Sequence, residues 1–238
     1  MHPDFETILN WRLLAGSHPF PGPDGGTCIN EAAIVAAGLP YRAIRSSADC
    51  PPCFSRPVAA YALGLNDTMP DEARPQLMAF VLRLSGSADA PEIEAARTRT
   101  LALESVRRIL APLCAVAGMV EDAKACIGAP DWPAALAAAN AAAWRGGARS
   151  QAAAEARRWR EGALTAAVSR TATAAQRAGT DARCAAEVAE GAAPFVAGTW
   201  SQACAILDEA LAIGRQAPEI ALVGARQRMD AARTGALA

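Results

Sequence analysis

The chain has 238 residues, 52% of them hydrophobic and 5% aromatic, and a net charge of −1 at pH 7. That length allows a substantial core without disulfide staples, and so small a charge gives no global field for nucleic acid or anionic lipid. No uncharged apolar run reaches the ~18 residues that a membrane span requires, so no membrane partner is expected.

The opening MHPDFETILNWRLLAG lacks the basic start of a signal peptide, so a cytoplasmic protein is expected. Its seven cysteines then read as thiols or metal ligands rather than disulfides. Pro3 at a first helical position, with Phe5, Ile8, Leu9 and Trp11 behind it, predicts a helix over 3–15. Gly16 ends it. A loop dense in proline and glycine follows and contains His18.

Thr27 reads as the N-cap of CINEAAIVAAG, a helix stopped at Gly38. The alternation in YRAIR predicts a short strand over 40–45. Cys50-Pro-Pro-Cys53 leads into a helix over 55–65 with Pro57 in its first turn. Further helices are predicted over 70–84, from Pro91 onward with a kink or end at Pro112, and over 119–127. Asp131 caps the next, which runs to about Trp144. Residues 150–179 read as one long helix weakened at Gly162, with alanines such as Ala167 and Ala174 making close contacts. Three more helices complete the chain.

Together these predict a mainly α protein: an alanine-rich helical bundle with an N-terminal cysteine-containing loop and helix region and at most a minor strand. The composition shift near Ala90 suggests an N-terminal Cys-motif region, 1–89, and an alanine-rich helical region, 90–238.

Cys28, Cys50 and Cys53 are the grouping with ligand chemistry, because a Cys-x-x-Cys pair directs two thiolates at one tetrahedral ion. A helix N-terminus favours the thiolate of Cys28, and His18 supplies a fourth ligand. A structural zinc at these four residues stands beside the plainer reading, in which reduced cysteines are buried as small hydrophobes. In the zinc reading, Glu31→Gln leaves metal and fold intact.

The order Cys28…Glu31, then a strand, then Cys50-Pro-Pro-Cys53 resembles the layout of zinc-dependent nucleoside deaminases. That resemblance implies three cysteine ligands and Glu31 as acid–base. Glu31 stands three residues after Cys28 rather than two, and Asp49 replaces the proline before Cys50. The segments GGTCINEAAIVAAG, DCPPCFSRPVAAYALGLNDTMPD and ILDEALAIGRQAPE resemble a group of uncharacterised bacterial and phage-related proteins, and this likeness implies no activity.

Arg145, Arg149, Arg157, Arg158 and Arg160, interleaved with Trp144 and Trp159, have the makings of a phosphate-tracking stripe. Glu155 and Glu161 among them favour an ion-paired helix face, so nucleic acid is not the expected partner. The expected function is non-catalytic: a helical binding or assembly protein with a protein partner or a second copy of itself. The alternative is a zinc-dependent hydrolase or deaminase using Cys28, Cys50, Cys53 and Glu31.

Overall fold

The computed structural model describes residues 11–19, 26–218 and 220–234. Among them helix predominates and no strand occurs; the only β pairing is an isolated parallel bridge between Leu13 and Thr27. The chain forms two compact units, residues 1–97 with 208–238, and residues 98–207.

The first unit is built around α1 (Ile29–Ala37), whose residues Ile29 to Ala36 are all buried. This short helix is covered on every side, with α2 (Arg56–Thr68), α3 (Val81–Leu84) and α11 (Leu222–Arg233) packed around it. Its ends are held by side chains. Cys28, not Thr27, is the N-cap, and Glu31 completes a capping box. Gly38 closes the C-terminus at φ 71°, and the Arg228 guanidinium donates to the Ala36 carbonyl from Nε at 2.8 Å.

Several expectations fail here. Residues 3–10 of the predicted first helix lie outside the described residues. Trp11 to Ala15 are not helical, because their hydrogen bonds go to Thr27: Trp11 Nε1 donates to its Oγ1 and Leu14 N to its carbonyl, both at 2.9 Å. The strand over 40–45 is absent, since the Ile44 N–H is used by Glu31 instead of a ladder. The helix over 70–84 is a 3-10 stretch, Arg74–Phe80, ahead of α3. Arg74 donates to the Asn66 and Met69 carbonyls at the end of α2, and Pro75 brings no N–H.

A second buried cation ties other segments of this unit together. Arg97, on α4 (Pro91–Ser105), is fully buried and donates to the carbonyls of Ser87 and Ile213 and to the Glu94 carboxylate. Glu94 in turn accepts from Ser55 Oγ and the Asp89 N–H.

In the second unit the helix from Pro91 neither ends nor breaks at Pro112. A π-helical stretch, Val106–Leu110, lies just before it, and the Ala111 N–H reaches back to the Val106 carbonyl. The wider turn accommodates the proline's missing donor within a continuing helix, α5 (Ala111–Val116). After α6 (Val120–Ile127), Asp131 caps α7 (Trp132–Glu155) by accepting from the Ala134 N–H at 3.0 Å.

Helix α7 runs well past Trp144 and pairs with α8 (Trp159–Ala178). The predicted single helix over 150–179 is therefore two. Its break falls at Arg157, which has φ 55°, and not at Gly162, which is buried within α8. The Arg157 and Arg158 N–H groups bond back to the Ala154 and Ala153 carbonyls, the pattern that usually places glycine at the left-handed position. Ala167 and Ala174 are buried, Ser169 Oγ donates across to the Ala143 carbonyl at 2.9 Å, and α9 (Ala182–Ala192) packs its alanine face on α8. The next helix, α10 (Thr199–Ala212), begins in this unit and ends among the residues of the first.

Candidate functional site

Sequence chemistry pointed to Cys28, Glu31, His18, Cys50 and Cys53. Glu31 is fully buried at the first turn of α1, and its carboxylate accepts five hydrogen bonds. Oε1 takes the His18 N–H at 3.0 Å, the Ile44 N–H at 2.9 Å and the Ser17 hydroxyl at 3.2 Å. Oε2 takes the Cys28 N–H at 2.9 Å and lies 3.0 Å from His18 Nδ1. One carboxylate thus ties residues 17–18, the start of α1 and residue 44 together. Tyr41 adds a bond from its hydroxyl to the His18 carbonyl.

An acid–base catalyst needs a lone pair or proton aimed at a substrate. Glu31 has its capacity taken up by neighbours and is sealed from solvent, which suits a structural anchor. Sequence reasoning did not see this role, because three of the donors come from residues 13 positions away.

Cys28 behaves differently from the expectation based on the helix dipole. Burial first, then the Glu31 charge, push its thiol well above the usual cysteine range, so it stays protonated at neutral pH. Its sulfur accepts the Glu31 N–H at 3.5 Å as a cap. Cys50 is buried and pushed up to about 12 by desolvation, with Arg56 opposing. Cys53 is half-buried, with Sγ 3.8 Å from Ser85 Oγ. Among the described residues, no three His, Cys, Asp or Glu side chains gather to hold a metal ion. The strand expected in a deaminase layout is also absent from residues 40–45. The remaining cysteines lie in helices; Cys114 of α5 and Cys126 of α6 share a thiol hydrogen bond.

The second unit presents another kind of feature. Val116, Val120, Ile127, Trp144 and Trp159 are all more than half exposed, the two tryptophans at 75% and 70%. Val116, Gly118, Arg149, Arg158, Trp159 and Arg160 line an open cleft of about 690 Å³ where α5 ends and α7 turns into α8. Arg149 donates to the Gly118 carbonyl at 3.1 Å, and Glu161 pairs with Arg158 at 2.8 Å and Arg149 at 3.8 Å. Arg145 forks onto Asp122, with Nε 2.8 and 3.1 Å from its two oxygens. Three of the five arginines are therefore ion-paired, as a solvated helix face requires. Arg157 and Arg160 are exposed without an ion-pair partner among the described residues.

No described helix is long and apolar enough to cross a membrane. No protein-family model, curated protein or solved structure matches the chain.

Proposed function

We propose that this is a non-catalytic helical binding protein whose working surface is on α5–α8 and whose partner is another protein. The observation that carries this reading is where the large apolar side chains are exposed. Among the described residues seven such side chains are exposed, and five of them, Val116, Val120, Ile127, Trp144 and Trp159, lie on these four helices. The same unit buries alanines throughout α7, α8 and α9, so its exposed tryptophans are not a surplus left over by a crowded core. Exposed tryptophan beside arginine is the composition of interface hot spots, where large rigid rings bury much area at little entropic cost. The saturated carboxylate of Glu31 supports a structural N-terminal unit rather than a reacting one.

The test is reconstitution. A partner isolated on the wild-type protein is purified and rebound to wild type and to a Trp144→Ser/Trp159→Ser variant. Both rings are exposed, so the fold should survive and affinity should fall by about tenfold or more. Equal binding by the variant would refute the proposal. So would a nucleoside-hydrolysing activity that is lost in Glu31→Gln.

A further inference from the structure

We propose that the cleft between the end of α5 and the α7–α8 turn holds an acidic peptide segment of the partner, with an apolar side chain seated against Trp159. This rests on the protein-binding reading above and gives the ligand's chemistry. The lining of the cleft combines apolar side chains, among them Val116 and Trp159, with the cations Arg149, Arg158 and Arg160. Three guanidiniums face the one carboxylate among its lining residues, that of Glu161, so the site carries a positive surplus. Glu161 also fixes two of those guanidiniums, with contacts of 2.8 Å to Arg158 and 3.8 Å to Arg149. A preset planar fork binds carboxylate with less ordering cost than a free side chain. Arg160 is exposed and unpaired among the described residues, leaving its donors for a ligand.

The turn itself is strained in a way that bears on the cleft. Arg157 holds φ 55°, a left-handed conformation that glycine normally supplies. Arg157 does not line the cleft, but its strained turn leads directly into Arg158 and Trp159, which do, and such outliers cluster at ligand sites.

A nucleic-acid strand fits less well. Continuous phosphate tracking needs a run of basic contacts and successive stacking rings. Here the cleft offers one ring, a carboxylate and aliphatic side chains, on a protein of net charge −1.

The experiment uses the full chain labelled with 5-fluorotryptophan, the Trp159 resonance being assigned by Trp159→Phe. The probes are a Glu-Glu-Leu-Glu-Glu peptide, its lysine counterpart and oligothymidylate. The acidic peptide should give a saturable shift of the Trp159 signal that weakens as salt rises. Arg149→Gln/Arg158→Gln should weaken binding by about tenfold or more. Arg160→Gln, which breaks no ion pair or hydrogen bond among the described residues, should weaken it in the same direction and guards against loss of fold. Equal binding of the lysine peptide, tighter binding of oligothymidylate, or no shift with any probe would overturn the proposal. If Trp159 is needed for the reconstituted partner while the acidic peptide fails to bind, the protein-binding reading stands and this one falls.

Discussion

Gly146 decides how closely α7 and α8 approach, and replacing it tests the packing of the second unit. A Cβ at Gly146 would lie 2.9 Å from the Thr165 carbonyl oxygen and 3.0 Å from the Ser169 nitrogen. Both are backbone atoms, so relief requires moving a whole helix. On an isolated helix Gly→Ala stabilises by about 1 kcal/mol. Overpacking a tight contact costs about 1–3 kcal/mol, and where backbone must shift the upper part of that range applies. Gly146→Ala should therefore destabilise by about 1–2 kcal/mol after the propensity gain is subtracted. The adjacent Gly147 is an internal control, because its nearest neighbour is the rotatable Ser169 Oγ at 3.4 Å. Gly147→Ala should stabilise by up to about 1 kcal/mol. Urea unfolding followed by far-UV circular dichroism should move the two midpoints in opposite directions. If both substitutions raise the midpoint, the helices do not cross at Gly146 and the packing argument is wrong.

Glu31→Gln places an amide N–H₂ against donors now bonded to a carboxylate, and should cost about 2–4 kcal/mol in unfolding free energy; an unchanged midpoint would show that the carboxylate is not an anchor. Arg157→Gly should leave stability equal or raise it by about 1 kcal/mol, since strain is relieved while backbone entropy is lost; a clear loss would mean that the Arg157 side chain makes a necessary contact. Asp89 is held below the usual carboxylate range chiefly by the backbone N–H groups of Arg215 and Ala90. A lowered folded value means that its contribution is present above the unfolded value, near pH ~3.9, and is lost as pH falls through the folded one. Asp89→Asn should accordingly flatten the acid side of the stability profile, and an unchanged acid slope would contradict this. In thiol labelling of the folded protein at pH 8, Cys53 should react first: Cys50 and Cys204 are pushed up to about 12 by desolvation, and the Cys28 thiol is higher than its usual range for the same reason. Rapid labelling of Cys28 would contradict its burial.

The helical class was legible because its signals are local. Asp131 before Pro133 and Gly38 after an apolar run set boundaries through hydrogen bonds within a few residues, and Pro57 after Ser55 sets one through its fixed φ and missing donor. The break at Arg157 escaped detection because it uses neither glycine nor proline. Gly162 misled because it lies buried within the first turn of α8, where the surrounding packing carries the helix through a residue that would weaken an isolated one. The two buried polar anchors were illegible for a different reason. Arg97 gains its meaning from Ile213, more than 100 positions away, and Glu31 from loop residues that no periodicity links to it. In the candidate site, the capping box around Cys28 was missed because Thr27 is the commoner N-cap residue type, and the exposure of Trp144 and Trp159 depends on which helix faces the tertiary packing covers.

The most direct test of where this protein works is site-specific photocrosslinking in cells, with p-benzoylphenylalanine placed singly at positions 159, 144 and 18. A protein partner bound at the α5–α8 surface should yield one discrete adduct from position 159 that recurs at 144 or is confined to 159, and none from position 18. A discrete adduct from position 18 with none at 159 would contradict the account and return the working site to the loop around His18 and Glu31.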